Sequence, residues 1–418
     1  MDLLNRFTSY AALDTRSKER EEGKEKPHPS SLGQKVLINL LLQQLEEMGV
    51  TQNILQLSDG SSLVQFPATA GCENAPHVVL AAHVDTYPSS PGAATTILHH
   101  YAGGDIQLPK DGVIIPANDL AGLEGKDIIT ASGDSLLGAD DKCGVAALMD
   151  LIDKIVNLNL PHGPLTFWFA TDEEIGEVGV EFLPAGTAEK WDIFWTVDGV
   201  QGNVVDNGCF YGAKVSVEFR GNDTHPGVEG KKLKPAHYAA ARFISLLGDG
   251  PSPWTTEGEQ SFIYVPAFPG GTAGNSKLTV YPRTFNCAEF ESMEAIIRKT
   301  AEEASKPFGV EAVVGKTELM YVTTEVAIAA HPELLEPGLE AMRNAGYDKV
   351  QLHKVRAGTD GAMLNKTFSK IPAPNMGTGS RNLHGVREFL VVEEFLRLPG
   401  ILQDMLNRYS QMTMLSAK

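Results

Sequence analysis

Residues 77–86 read HVVLAAHVDT, an apolar run that ends in a histidine, a valine, an aspartate and a threonine. Two further runs, LTFWFA (165–170) and DIFWTV (192–197), are just as rich in β-branched and aromatic residues. Such runs are typical of strands that are buried on both faces of a mostly parallel sheet. Residues 141–156, DKCGVAALMDLIDKIV, lie between the first two runs and have the apolar spacing of a helix. These stretches predict an α/β domain with a mostly parallel sheet.

The order of elements changes after Asn207. The patterns that follow predict a strand, a helix, two strands, a helix and a strand, which is a smaller α+β module with a ferredoxin-like order. We therefore expect this module to be inserted into the larger domain, which resumes and finishes on a C-terminal helix. The predicted boundaries are 1–207 for the first part of the larger domain, 208–322 for the insert and 323–418 for the second part.

The composition is that of an ordinary globular protein, and it excludes some classes of function. Acidic residues outnumber basic ones by 53 to 35, for a net charge of −18, so we expect no nucleic-acid surface. The apolar runs are shorter than the roughly 20 residues of a membrane helix, and the N-terminus has no signal-peptide pattern. The four cysteines form no C-x-x-C pair, which is typical of reduced thiols. We therefore expect a cytoplasmic protein without membrane partners.

Five short stretches carry candidate chemistry. Three of them directly follow an apolar run: HVD (83–85), TDEEIG (171–176) and WTVDG (195–199). The other two are LLGADDK (136–142) and NLHG (382–385). A single His-x-Asp is more often structural, but the carboxyl ends of parallel strands converge on one crevice where ligands bind. Three acidic or histidine-bearing strand ends therefore predict one functional site.

The residue types in these stretches suit a pair of divalent cations. Two such ions about 3.5–4 Å apart can hold a hydroxide between them. Each zinc is satisfied by imidazole nitrogen and carboxylate oxygen, with one position open for water or substrate. A pair needs roughly two histidines and three carboxylates, one of which bridges. The predicted metal ligands are His83, Asp140, Glu174, Asp198 and His384.

Two more acidic residues are expected to assist the metals. Asp85 stands two residues beyond His83, where it can accept the other ring N–H of that imidazole. Glu173 and Glu174 are adjacent, so their side chains point in different directions and can serve different tasks. One of them can bind metal while its neighbour takes a proton from water. The alternative for this pair is a solvated acidic turn.

The ordered set HVDT, LLGADDK, TDEE, TVDG, RAGTDGA and GTGSRNLHG resembles the peptidase T branch of the dinuclear zinc peptidase superfamily. That superfamily also contains aminoacylases and glutamate carboxypeptidases, and the similarity runs from LNRFTSYAALDTRS to His384. The resemblance implies two Zn2+ per subunit, with Mn2+ or Co2+ as alternatives in one site. It implies His83 and Asp198 on one ion, Glu174 and His384 on the other, and Asp140 between them. Glu173 would be general base and then general acid, and Asp85 the orienting residue.

The resemblance also implies a catalytic domain with an inserted lid or dimerisation domain, in a homodimer. His225 in GNDTHPG resembles a lid histidine that reaches the partner subunit's active site and stabilises the oxyanion. Arg356 in RAGTDG resembles a ligand for the substrate carboxylate, which a guanidinium binds with two hydrogen bonds. Arg283 in YPRTF and Asn275 in GGTAGN resemble a lid arginine and a lid asparagine, with a plain surface role as the alternative for both.

The predicted function is that of a metal-dependent exopeptidase that hydrolyses the N-terminal residue from short peptides, tripeptides first, through a zinc-bridged water activated by Glu173. The alternative is a carboxypeptidase or an N-acyl-amino-acid deacylase, because FPGGTAGNSKLTVYPRTF looks more like those members of the superfamily. A third hypothesis is a silent scaffold or peptide-binding protein. It predicts damage at a metal ligand, and all five ligands are intact.

Overall fold

The computed structural model describes residues 1–18, 27–268, 270–368 and 370–414. These residues divide into two compact units. Unit 1 comprises the described residues of Met1–Gly208, Thr324–His353 and Thr359–Lys418. Unit 2 comprises those of Cys209–Thr323 and Lys354–Gly358.

The first part of unit 1 contains most of its strands. In chain order its helices and strands are α1 (Leu3–Ala11), α2 (Leu32–Glu47), β1 (Ile54–Gln56), β2 (Ser62–Phe66), β3 (Val78–His83), β4 (Ile97–His100), β5 (Ile106–Gln107), β6 (Ile114–Ile115), β7 (Asp127–Thr130), α3 (Ala139–Leu158), β8 (Leu165–Ala170), β9 (Ile193–Gly199) and β10 (Val204–Cys209).

Unit 2 follows, and the chain then returns to unit 1. Unit 2 contains β11 (Tyr211–Arg220), α4 (Pro226–Glu229), α5 (Ala236–Gly248), β12 (Phe262–Tyr264), β13 (Asn275–Thr284), α6 (Phe290–Ser305), β14 (Glu311–Val314) and β15 (Glu318–Tyr321). The last part contains α7 (Glu325–Ala330), α8 (Pro332–Asn344), β16 (Gln351–Val355), α9 (Asp360–Phe368), β17 (Asn375–Gly377), β18 (Ser380–Arg381), β19 (Phe389–Val391) and α10 (Val392–Ser410).

The largest sheet of unit 1 runs in the order β1-β2-β8-β3-β9-β17-β10-β16. Its centre is parallel, since β3 pairs in parallel with β8 and β9, and β9 with β17. Strands β3 and β8 are buried along their whole length, which explains why their sequences are continuous apolar runs. The three apolar runs were predicted to be buried strands of a mostly parallel sheet, and this prediction is confirmed; the structure adds that they are neighbours, in the order β8-β3-β9.

Helix α3 packs closely on this sheet because the residue that faces β9 in its first turns is a glycine. A side chain at Gly144 would place its Cβ 2.2 Å from the carbonyl oxygen of Val197 in β9, so only glycine fits there. Gly138, just before the helix, has a φ of +72°, a left-handed conformation that favours glycine. The segment LLGADDK therefore turns sharply, and its two aspartates lie at the end of the sheet beside His83.

A second sheet of unit 1 has the order β18-β19-β7-β4 and is antiparallel. Its strands are two to four residues long, too short to show an alternating pattern in the sequence. The loop between β18 and β19 carries His384.

Unit 2 has a sheet in the order β12-β13-β11-β14, with β15 also paired to β11. The pairs along this order are antiparallel, and α5 and α6 bury apolar faces against it. This is the predicted ferredoxin-like order of strand, helix, two strands, helix and strand, followed by β15. The predicted fold class, α/β with a smaller α+β module, is confirmed. Among the described residues, no helix is both long enough and apolar enough to cross a bilayer.

Candidate metal centre

Strand ends and loops of unit 1 bring the five predicted metal ligands together. His83 is the last residue of β3, and Asp198 is the penultimate residue of β9. Glu174 follows β8, while Asp140 stands in the first turn of α3. His384 comes from the loop between β18 and β19. The parallel centre of the large sheet positions three of these residues at one edge.

The Asp140 carboxylate lies between the two histidines. Its Oδ1 is 3.0 Å from Nε2 of His83, and its Oδ2 is 3.1 Å from Nε2 of His384. Burial alone would raise the pKa of Asp140, but hydrogen bonds from His384 and His83 outweigh the effect of burial, so the pKa is lowered. One carboxylate that offers a different oxygen to each imidazole has the geometry of a bridging ligand.

Each histidine has a second carboxylate beside it. Asp198 Oδ1 is 3.5 Å from Nε2 of His83, and Glu174 Oε2 is 3.1 Å from Nε2 of His384. We call the first pair the His83 side and the second pair the His384 side. Each side contains one imidazole and one carboxylate, and Asp140 is common to both.

The donor set fits a divalent cation. Oε1 of Glu174 is buried and has no hydrogen-bond partner among the described residues. Burial and the neighbouring Asp140 raise the pKa values of Asp198 and Glu174, because carboxylates crowded in a buried site repel one another's charge. Positive charge between these oxygens would relieve that repulsion. Imidazole nitrogen with carboxylate oxygen is the donor combination that zinc takes.

Asp141 also lies near His83, but both of its carboxylate oxygens accept hydrogen bonds from backbone N–H groups. Groups that could hold an ion include His83 with Asp140 and Glu174, and His83 with Asp141 and Asp198. However, the backbone N–H of His83 donates to one Asp141 oxygen at 3.2 Å and that of Gly144 to the other at 3.1 Å. We therefore assign Asp141 to fastening the start of α3 onto β3.

Asp85 contacts both the histidine and the turn with the two glutamates. Nδ1 of His83 donates to the backbone carbonyl of Asp85 at 3.0 Å, and the Asp85 carboxylate is farther away, at 3.5 Å. That carboxylate accepts from the N–H groups of Glu173 at 3.0 Å and Glu174 at 3.1 Å. The sequence predicted only a role for the Asp85 side chain at the imidazole. In the structure the carbonyl orients His83, and the carboxylate holds the turn.

Glu173 shares this turn and sits in an acidic, partly buried environment. Burial raises the pKa of its carboxyl well above the usual range, and the carboxylates of Asp198 and Asp360 add to the shift. Burial likewise raises the pKa of Asp360, in the RAGTDGA stretch, to about 7. A carboxyl group in such surroundings holds a proton more readily than one in water.

Comparisons with known proteins agree with this geometry. Residues 137–408 match the model of peptidase family M20/M25/M40. Peptidase T from Escherichia fergusonii is 33% identical over 397 residues, which cover 94% of each chain. The chain belongs to the peptidase family M20/M25/M40. The predicted peptidase T branch and the predicted metallopeptidase class are thereby confirmed.

Two solved structures share the fold of this M20-family chain. Aminopeptidase PepT from Bacillus cereus superimposes with a TM-score of 0.68 at 20% identity and covers 98% of both chains. A tripeptidase from Staphylococcus aureus superimposes with a TM-score of 0.70 at 18% identity, also covering 98% of both chains. At these identities the superpositions support the fold.

The sequence did not single out three residues that support the centre. Glu388 is buried and accepts from the N–H groups of Gly138 at 2.7 Å and Asp140 at 3.0 Å, so it caps the turn before α3. Tyr87 stacks on the His384 ring, with centroids 4.3 Å apart and planes 6° apart. Glu388 is distant in sequence from Gly138 and Asp140, as Tyr87 is from His384, so no local sequence pattern indicates these contacts.

The third is Asp172, which precedes the two glutamates and has a φ of +56°. Its carboxylate accepts from Ser30 Oγ at 2.6 Å, from Gln34 Nε2 at 2.7 Å and from the Ser30 N–H at 2.8 Å, and lies 2.8 Å from Nδ1 of His28. The Asp172 N–H in turn donates to Gln34 at 3.1 Å. The turn is thus fastened to the start of α2 on one side and to Asp85 on the other.

The remaining predicted site residues belong to unit 2. His225 precedes α4 and is exposed. The Arg356 guanidinium donates to the carbonyl and hydroxyl oxygens of Thr256, both at 2.6 Å, and lies over the rings of Phe210 and Phe262. These contacts occupy part of its donor capacity, and its predicted role toward a substrate carboxylate stays a prediction.

Arg283 and Asn275 make contacts within unit 2 as well. Arg283 donates to the Ala213 carbonyl at 2.8 Å and lies against the rings of Tyr281 and Tyr321. Asn275 is exposed and donates to Glu218 at 2.6 Å. Their predicted roles as a lid arginine and a lid asparagine also stay predictions.

Proposed function

We propose that this chain is a dinuclear zinc aminopeptidase that removes the N-terminal residue from short peptides, tripeptides first. The observation that carries the proposal is the Asp140 carboxylate, which offers one oxygen to His83 and the other to His384. The relatives support the substrate class, since they include peptidase T, an aminopeptidase PepT and a tripeptidase.

Two Zn2+ ions per subunit suit this donor set, with Mn2+ or Co2+ as alternatives in one site. The His83 side, with Asp198, would hold one ion and the His384 side, with Glu174, the other, while Asp140 serves both. When bound, the ions would polarise the scissile carbonyl and acidify water.

Glu173 is our candidate for the proton transfers. Its backbone is fixed through the Asp85 carboxylate, which also fixes the backbone of Glu174. The Glu173 carboxylate would take the proton of the attacking water and deliver it to the leaving amine. The Asp85 carbonyl would keep the His83 ring in the orientation that presents Nε2 to the ion.

Unit 2 is proposed to act as the lid or dimerisation domain of a cytoplasmic homodimer. In that arrangement His225 would stabilise the oxyanion in the partner's site, and Arg356 would bind the substrate carboxylate. Arg283 and Asn275 would line the lid. A His225→Ala variant mixed with Glu173→Gln subunits tests this arrangement, because mixed dimers should recover activity that neither variant has alone.

A substrate panel with metal analysis of the same sample tests the function. We expect hydrolysis of a tripeptide with a free N-terminus, release of its first residue, and about two zinc ions per chain. Blocking the N-terminus by acetylation should abolish turnover, whereas amidating the C-terminus should reduce it less. Faster hydrolysis of N-acetyl amino acids, or release of the C-terminal residue, would instead identify the deacylase or carboxypeptidase, which the comparisons do not favour. No bound metal and no peptide hydrolysis would support the silent scaffold.

A further inference from the structure

We propose that Tyr87 is a positioning residue for His384, and that its ring sets the affinity of the cation on the His384 side. This inference rests on the proposed dinuclear function. It starts from the parallel stack of the two rings, with centroids 4.3 Å apart and planes 6° apart. Neither the metal ligand set nor the proton transfer at Glu173 accounts for this stack.

His384 needs an orienting partner more than His83 does. The His83 ring is 2% exposed, and its Nδ1 donates to the Asp85 carbonyl at 3.0 Å. The His384 side chain is 45% exposed, and within the described ranges no residue forms a hydrogen bond with its Nδ1. Its backbone lies in the left-handed region, with a φ of +66°. Among the aromatic rings of the described residues, Tyr87 is the one that stacks on the face of His384, and this contact restrains the plane of the imidazole.

Tyr87 can provide this restraint because its own backbone is anchored. The preceding residue, Thr86, is fully buried, and its carbonyl accepts from the N–H of Ser17 at 3.1 Å. Arg16 forms a parallel bridge with Thr86. The aromatic ring thus projects from a fixed segment at the end of β3, whereas His384 lies on a loop. The stack therefore holds the ring of the loop residue His384 against a segment that is fixed to the end of β3.

The expected size of the effect follows from how metal sites respond to loss of an orienting group. Removing the partner of a metal-binding histidine lowers metal affinity by roughly 10–100-fold. A stack restrains the ring plane but accepts no hydrogen bond, so we expect the lower limit, about tenfold. The effect should be confined to one cation, since the Asp85 carbonyl orients His83 independently.

The experiment is a zinc titration of the metal-depleted full chain in competition with a chromophoric chelator, which yields two stepwise affinities. Tyr87→Leu keeps apolar bulk but loses the aromatic ring. We expect it to lower one of the two stepwise zinc affinities by about tenfold, while the other affinity changes less than about twofold. Tyr87→Phe keeps the ring and loses only the hydroxyl, and should bind both ions like wild type. The unchanged step reports that each variant is folded.

Tyr238→Ala is the matched control. It removes an exposed tyrosine from unit 2 whose ring also lies against a histidine, His237, with centroids 4.8 Å apart at 65°. We expect both zinc affinities of this variant to equal those of wild type. A loss of one step in Tyr238→Ala equal to that in Tyr87→Leu would overturn the inference, because a non-specific effect of losing a tyrosine would then explain both.

A double-mutant cycle assigns the weakened step to its histidine. His384→Ala should abolish the same step, and adding Tyr87→Leu to it should not change the remaining affinity. Wild-type affinities in Tyr87→Leu, or equal weakening of both steps, would overturn the inference and leave the dinuclear function standing. Uptake of fewer than two zinc ions by the wild-type chain would overturn both together.

Discussion

The His83 side and the His384 side contain the same donor chemistry, one imidazole and one carboxylate beside the shared Asp140, yet they are built differently. His83 ends a buried central strand, is 2% exposed and has its second ring nitrogen bound by a backbone carbonyl. His384 lies on a loop, is 45% exposed and is stacked on Tyr87. The difference teaches that one predicted ligand set can combine a preorganised position with an adaptable one.

This contrast leads to an expectation about the two cations. The His83 ring is already fixed in orientation before an ion binds, so binding on the His83 side requires little further ordering of side chains. The His384 side must lose ring freedom on binding, which lowers affinity by the free energy of that ordering. We therefore expect a tightly held ion beside His83 and a more readily exchanged ion beside His384.

The largest expected effect comes from comparing His83→Ala with His384→Ala. Removing His83 leaves Asp198, and one oxygen of the buried Asp140, without a cationic partner, which should cost about 3–5 kcal/mol of unfolding free energy in the metal-depleted chain. Removing the half-exposed His384 should cost about 1 kcal/mol or less, because solvent screens its ion pairs. Denaturant unfolding measures both. Equal losses would contradict the comparison.

Glu173→Gln should separate the chemistry from the metal sites. We expect turnover to fall by roughly 10²–10⁴, because proton transfer is lost, while both zinc ions stay bound. Steady-state kinetics and metal analysis of one preparation measure the two quantities. Glu181→Gln, an exposed carboxylate of the same segment, is the control and should behave as wild type. Near-normal turnover in Glu173→Gln would remove Glu173 from the mechanism.

Glu388→Gln should weaken the binding of both cations, whereas Tyr87→Leu should weaken the binding of one. The glutamine amide can accept only through one oxygen, so one of the Gly138 and Asp140 N–H groups loses its acceptor. The loss of one such hydrogen bond costs about 1–3 kcal/mol, and the displaced Asp140 belongs to both sides. The same zinc titration should show two weaker steps. Weakening of one step alone would show that Asp140 is not shared.

The smallest effect is expected at a histidine–aspartate pair outside the centre. Nδ1 of His353 lies 2.9 Å from Oδ1 of Asp206, and this hydrogen bond raises the pKa of the largely exposed imidazole. A raised pKa in the folded state means that the pair stabilises the fold below the unfolded-state pKa of about 6.5 and ceases to do so as the pH rises through the folded-state value.

His353→Gln should therefore lower the unfolding free energy at pH 5.5 by about 0.5 kcal/mol and leave it unchanged at pH 9. Denaturant titrations at the two pH values measure this difference, and zinc affinity should not change. An effect as large as that of His83→Ala would show that burial does not explain the strength of the His83 side.

The sequence predicted the features that depend on residues close together in the chain, and it did not predict those that join short or distant segments. HVVLAAHVDT, LTFWFA and DIFWTV each contain a dense run of apolar residues, and that pattern predicts buried parallel strands whose ends carry the candidate ligands. The inserted module was also predictable, since its strands and helices have clear periods. The sheet formed by β4, β7, β18 and β19 was not, because its strands are too short to alternate visibly.

Residue types and their order determined the chemistry of this protein. Two histidines and three carboxylates, three of them at or just after strand ends, predict a cation site because imidazole nitrogen with carboxylate oxygen is the donor combination that zinc takes. Only the tertiary structure decided how each ligand is held. The stack of Tyr87 on His384 and the caps of Glu388 and Asp172 join residues far apart in the chain. Such contacts depend on backbone positions set by the whole fold, so no local sequence pattern encodes them.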